Sequence, residues 1–233
     1  MKVIQPYCRS KLTRADIEFI LAVLGVELKD EQALVSLLLD ENTRDLILDD
    51  STLFHAIIES PDHLRISLHL YFYILVHHVL KEVGLEDREL ADYVASVLAQ
   101  FVRLQTGANS NAREAFFYAV DVLGEIECAD FHTRFYLVSS LGNSAPILTG
   151  VFPDHIEYRA KMKAAPNLNY YESICSAQFH AASSHNLAQT YNLDRIYATL
   201  SNSFSTVRAA LNELKERLVF LGNPHTACSF ELQ

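Results

Sequence analysis

LRISLHLYFYILVHHVLKEV, residues Leu64–Val83, is the longest strongly apolar run in the 233-residue chain, and its reading decides the fold class. Apolar or aromatic side chains fall on nearly every side of a helix drawn through it. A helix that is hydrophobic almost all round is a buried one. Ser60, Pro61 and Asp62 ahead of it supply an N-cap hydroxyl, a first-turn proline with no N–H to leave unpaired, and an acid at the positive end of the helix dipole. Lys81 and Gly84 supply a cationic last turn and a left-handed stop. The pattern predicts a central helix over about 61–83, roughly 35 Å long at ~1.5 Å per residue, with the other helices packed around it.

That length would cross a bilayer. Arg65, His69, His77 and His78 lie inside the run, however, and interior charges are costly in a membrane. No other segment reads as a second span, so no stable membrane span is expected. The polar residues of the run are ordered: Arg65, His69, Tyr73, His77 and Lys81 recur at every fourth position. Each such step turns the helix by about 40°, which gives one slowly drifting stripe. The stripe is either a seam against a polar neighbour or the wall of a pocket carrying two imidazoles and a phenol. His69 and His77 stand about 12 Å apart along the axis, too far to share one metal ion, and no metal site is expected.

Composition narrows the class further. Half the residues are apolar, tryptophan is absent, and the 7 glycines and 6 prolines mostly fall where helices should start or stop. A many-stranded β fold needs turn residues far more often. The expectation is an all-α multi-helix bundle. A formal net charge of −10 disfavours nucleic acid as a partner. Cys8, Cys128, Cys175 and Cys228 form no CxxC pair or disulfide framework. Reduced thiols follow, and with no apolar leader near residue 1 the expected compartment is the cytoplasm. Charge is uneven: residues 1–14 hold Lys2, Arg9, Lys11 and Arg14 with no acid, whereas residues 15–62 are strongly acidic. A basic arm against an acidic helical layer, or an acidic surface for a basic partner, would account for this.

Along the chain, Thr13 and Asp16 open a first helix that stops near Gly25. Asp30 caps a second with Leu34, Leu37 and Leu38 as its stripe, and residues 42–59 hold one or two short helices with Leu46, Leu53, Ile57 and Ile58 facing inward. Residues 1–59 therefore read as an acidic helical layer or subdomain, 60–222 as the main bundle, and 223–233 as a tail, all expected to form one compact unit. Within the bundle, a clean apolar series runs from Leu90 to Leu104, and Asn111–Glu114 opens another helix. A further helix spans about 131–141. Gly142, Pro146, Gly150, Pro153 and Pro166 then mark an irregular region, the kind of segment in which sites concentrate. Pro153 opens a helix, and Asn169–Glu172 opens another. The last helix, about 192–221, carries Leu193, Ile196, Leu200, Phe204, Val207, Leu211, Leu214 and Leu218 as a stripe that closes the bundle or pairs with its own copy.

Leu148-Thr149-Gly150, Phe152-Pro153, Ile156-Glu157, Arg159 and Tyr170-Tyr171-Glu172 form a phrase similar to one in uncharacterised bacterial all-helical proteins. The resemblance covers residues 148–172. It implies an all-helical fold and no particular activity, and it brings no catalytic residue with it.

The P-loop, GxGxxG, GxSxG, HExxH and helical di-metal ExxH patterns are all absent, so no catalytic residue is assigned. Two groups remain. Asp154, His155, Glu157 and Arg159 with Tyr170, Tyr171 and Glu172 would shuttle protons if buried together; otherwise they are caps and an exposed face. His180 and His185 with Glu172 do not stack on one helix face. The leading functional expectation is a protein–protein interaction or scaffold protein acting as a homodimer or with another protein. The alternative is a small-molecule or haem-like ligand held by Arg65, His69, Tyr73 and His77 with Tyr71, Phe72, Phe116 and Phe117, although no cofactor is predicted. A membrane-associated regulator is the third reading.

Overall fold

The structure, a computed structural model, describes residues 3–25, 36–59, 65–106, 123–163 and 167–220. These residues are mostly helical and include no strand, as expected of an all-α multi-helix bundle. No helix among them is long and apolar enough to cross a membrane. By packing, the chain divides into two units: Pro6–Ala99, and Met1–Gln5 with Gln100–Gln233. The division falls inside one long helix, whereas the sequence suggested a boundary near residue 60.

The first unit holds α1 (Arg14–Val23), α2 (Glu41–Leu48), α3 (Ser51–Glu59), α4 (Leu68–Glu82) and the start of α5 (Arg88–Thr106). α1 begins as expected. Thr13 N–H donates to Asp16 Oδ2 at 2.7 Å and Asp16 N–H returns to Thr13 Oγ1 at 3.3 Å, a reciprocal cap. Gly25, at φ +68°, lies just past its end. Asp16 is fully buried, and its other oxygen accepts the Ser67 N–H at 2.7 Å. One carboxylate thus fixes the start of α1 and the entry to α4.

That contact corrects the central helix. It begins at Leu68, not near residue 61, because Ser67 is extended and its hydroxyl caps Leu70 N–H at 3.2 Å. Ser60–Leu64, including the expected Ser60 cap, lie outside the described residues. Gly84, at φ +80°, stands at the other end as expected. The buried character holds: every residue from His69 to His77 is buried. α5 goes further than its sequence suggested. Its small residues Ala91, Ala95 and Ala99 are buried together with Asp92, Tyr93 and Ser96, so the helix is enclosed on all sides in this stretch.

Two leucines expected inside are outside. Leu37 is 47% exposed and Leu46 69%. On α2 the inward positions belong to Asp45 and Leu48. Each residue turns an α-helix by about 100°, so placing Asp45 inward, where it pairs with Arg9, turns Leu46 out. The expected Asp30-capped helix and the Asn111 helix lie outside the described residues, apart from a helical stretch at 36–39.

The second unit continues with α6 (Leu123–Cys128), α7 (Phe131–Pro146), a π-helical turn (Ile147–Val151), α8 (Pro153–Lys163), α9 (Leu168–Ser183), α10 (Asn186–Thr190) and α11 (Asp194–Phe220). The expected irregular region is mostly helical. α7 runs through Gly142 to Pro146 rather than stopping near Leu141. Pro146 then removes a backbone donor, and the ladder reopens at π spacing, with Phe152 N–H bonded to Ile147 O at 3.1 Å. Thr149 Oγ1 donates to Ala145 O at 2.6 Å and Ser144 Oγ to Ser140 O at 3.0 Å. Those hydroxyls satisfy carbonyls around the changeover. α9 is capped by Asn167, whose side chain accepts from Tyr170 N–H at 3.0 Å, and not by Asn169.

α11 packs along α9 and across the π turn. All eight residues of its apolar stripe, Leu193 to Leu218, are buried, so the surface offered by sequence for self-pairing is used within the unit. The helix kinks at Ser203 (φ −124°, ψ 16°), beside Ser201 and Asn202, whose side chains both bond the Ala198 carbonyl. Gly150 sits at the crossing. A Cβ there would lie 2.8 Å from Leu211 Cβ and 3.2 Å from Arg208 O.

Candidate functional site

The stripe on α4 organises the most elaborate polar cluster among the described residues, and the arm ahead of α1 fills much of it. Tyr7 packs edge-on to His69 with ring centres 5.1 Å apart. The Arg9 guanidinium stands 6.0 Å from the centre of the Tyr73 ring. It donates to Asp45 Oδ2 at 2.6 Å and to Asp92 Oδ2 at 3.1 Å. Asp92 also accepts the backbone N–H groups of Cys8 (2.6 Å) and Arg9 (3.3 Å). Ser96 Oγ, one helical turn on, accepts Tyr7 N–H at 3.2 Å. Burial works against the Arg9 charge, but Tyr73, Asp45 and Asp92 outweigh it, and the guanidinium holds its proton above the usual range.

Farther along α4, Tyr73 stacks on His77 (5.5 Å between centres, 9° between planes). His77 Nε2 faces Asp49 Oδ1 at 3.4 Å, and Arg88 forks onto both oxygens of the same carboxylate. This end opens as a cleft of about 220 Å³ between α4 and the junction of α2 with α3, with Leu48, Phe54 and Ile74 as apolar walls. His78 lies flat on Phe54 (3.6 Å, 12°) and faces Glu82 at 3.4 Å. Asp50, which caps Thr52 N–H at 2.9 Å, and Lys81 also line it.

Facing a carboxylate normally raises a histidine pKa. His77 goes the other way: burial lowers it, and Lys81, Arg88 and His78 add to that against the pull of Asp49. Asp49 is the strongest opposing influence, and burial outweighs it. A depressed folded-state pKa means that the unfolded chain takes up the proton first as pH falls. The contribution of His77 to stability is therefore full above about pH 6.5, its ordinary value, and is lost as pH drops below that toward the folded value. His77→Gln should show a smaller fall in Tm between neutral and mildly acidic pH than the parent, measured by thermal unfolding across that window.

Of the expected pocket residues, Tyr73 and His77 are brought together, His69 is under Tyr7, and Arg65 is not on the helix. Arg65 is exposed and lines a separate surface groove between α1 and α3 with Ala15, Glu18, Phe19 and Ala56. Tyr71 and Phe72 are buried in ring contact with each other, 5.2 Å apart, and Phe116 and Phe117 lie outside the described residues.

The second expected group is dispersed, not assembled. Asp154 pairs with Lys215 at 3.1 Å, Glu157 with Lys161 at 3.6 Å, and Glu172 with Arg208. Tyr171 is buried while Tyr170 is half exposed. α8 and α9 thus commit these carboxylates to α11 and to α8 itself. The side chains of His155 and Arg159 are outside the described part. His180 is exposed, whereas His185 ties two stretches of backbone together. Its Nδ1 accepts Leu187 N–H at 3.0 Å and its Nε2 reaches Phe131 O at 3.0 Å. The first bond requires a bare Nδ1, which leaves Nε2 to donate.

Sequence reading missed Arg9, Asp45, Asp49, Arg88 and Asp92 as a set. The only signal was the change from a basic arm to an acidic layer. The described residues contain no group of three or more His, Cys, Asp or Glu side chains able to hold a metal ion. They also form no disulfide through Cys8, Cys128 or Cys175. Burial, with help from Glu172, pushes the Cys175 thiol up to about 12. Compared with family models, with curated proteins and with solved structures, the chain matches none.

Proposed function

We propose that the protein works by binding another protein through the acidic face formed by α2 and the stretch just before it. One observation supports this: Leu37, Leu39 and Leu46 are 47%, 79% and 69% exposed within a stretch of ten residues. Grouped exposed leucines, unlike single ones, mark interaction surfaces. The accessible charges beside them are the carboxylates Asp40, Glu41 and Asp50, while Arg44, the one base in residues 36–50, has a side chain only 14% exposed. The partner that fits is an amphipathic helix with a leucine-rich face and flanking Lys or Arg. A second copy of this chain fits less well, because it would set like carboxylates against each other.

The test is fluorescence anisotropy with a synthetic Lys/Leu amphipathic peptide and its Glu/Leu counterpart. The basic peptide should bind, more weakly as salt rises. Leu39→Lys with Leu46→Lys should weaken it by roughly tenfold or more, ~1.4 kcal/mol. Equal binding by parent and double variant, or self-association in light scattering that the same double variant abolishes, would overturn the reading.

A further inference from the structure

The cluster around Arg9 has the composition of a peptide-binding site. Its occupant is a non-helical stretch of chain, Tyr7-Cys8-Arg9, that contributes two backbone N–H groups to one carboxylate, a guanidinium to two carboxylates, and an aromatic ring to an imidazole edge. Carboxylates that take a guanidinium together with neighbouring amides are how proteins hold arginine-bearing segments. The receiving side chains come from elements remote in sequence: Asp45 on α2, His69 and Tyr73 on α4, Asp92 and Ser96 on α5.

The fit is incomplete. Tyr73 is 0% exposed, yet its hydroxyl has no hydrogen-bond partner. Asp45 Oδ1 and Arg44 Nε are buried without a hydrogen bond and form a long ion pair with each other, at 3.7 Å. These atoms border the Arg9 guanidinium: Asp45 holds it through its other oxygen, and the Tyr73 hydroxyl lies within the fields of Arg9, Asp45 and Asp92. Native structures rarely leave buried polar atoms unbonded. A donor and acceptor surface larger than the arm uses is therefore built into this floor.

We propose that α2, α4 and α5 form a binding site for an arginine-bearing peptide segment of the aromatic-X-Arg type, which the chain's own arm occupies as a tethered ligand. A segment from another protein that also bonds Tyr73 and Asp45 displaces the arm. The exposed leucines are not part of this site, so the Leu39→Lys, Leu46→Lys variant should bind the peptide described below as the parent does.

The experiment uses the full chain and a labelled synthetic peptide of residues 3–12, VIQPYCRSKL, with an Arg→Ala counterpart. The tethered arm competes at high effective concentration, so the parent protein should bind the peptide weakly. Arg9→Ala opens the site. It should bind the Arg peptide at least tenfold more tightly than the parent does, and the peptide should raise its Tm. The Ala peptide should do neither. A folded Arg9→Ala protein that binds both peptides alike overturns the proposal. Should that variant not fold, Tyr7→Ala, which removes the ring's contacts with His69 and with the Lys11 ammonium and so loosens the arm, replaces it with the same expectation. Hydrogen exchange on the parent gives an independent reading. Excess Arg peptide should speed exchange of the Cys8 and Arg9 amides as the arm leaves Asp92. Unchanged exchange with saturating peptide also overturns the proposal.

Discussion

Replacing Asp92 by alanine should destabilise the protein by about 3–5 kcal/mol, the usual cost of removing one partner of a buried ion pair. The side chain is 5% exposed and meets the Arg9 side chain, itself only 10% exposed. Its loss leaves the guanidinium with Asp45 alone and strips the Cys8 and Arg9 amides of their acceptor. Asp92→Asn should cost less, because the amide oxygen still accepts from Cys8 N–H. The double variant Arg9→Met, Asp92→Ala should cost less than the sum of its parts, since no buried charge is left facing nothing. Urea unfolding of the parent, the three single variants (Asp92→Ala, Asp92→Asn and Arg9→Met) and the double variant measures this. An Asp92→Ala midpoint equal to that of the parent would mean that the arm is not held as described.

Gly150→Ala should destabilise the second unit by about 1–3 kcal/mol. Alanine favours helix by up to ~1 kcal/mol over glycine, so the sign depends on the space. There is none: the new carbon would stand 2.8 Å from Leu211 Cβ, and the next neighbour is the Arg208 carbonyl, which belongs to the backbone of α11. Neither can swing aside. Trimming Leu211 to alanine is therefore not expected to rescue the variant, because the clashing Cβ is still present. Chemical denaturation of the single and double variants decides it, and a rescue would place the crossing differently.

These two sites differ in how far sequence exposed them. Gly150 is visible as part of a dense group of helix breakers, but such a group reads as a loop. Glycine and proline also occur where helices touch or change pitch, and only the packing of α11 shows which applies. The reciprocal Thr13–Asp16 cap, the Gly84 stop and the buried run from His69 to His77 were legible because they depend on neighbours in sequence. Asp16 bonding Ser67 was not legible, and it moved the start of α4 by seven residues relative to position 61. Asp45 and Asp92 read as surface acids on amphipathic helices. Their inward orientation depends on Arg9, which is 36 and 83 positions away. The same orientation turned Leu46 outward. No local pattern encodes a pairing of that range, so the site was the part of the molecule least open to sequence reading.

The arm's distance from its anchors also sets an order of events during synthesis. Cys8 and Asp92 are separated by 84 positions, so at ~5–20 residues per second the ribosome delivers Asp92 about 4–17 s after Cys8. Through that interval Arg9 has at most Asp45 to hold, and α4, apolar on nearly every side, emerges before α5 is exposed to cover it. The earliest-made of these segments is thus among the last to be secured. A growing chain halted before residues 92–96 have left the ribosome would be expected to engage chaperones that one with those residues exposed has released.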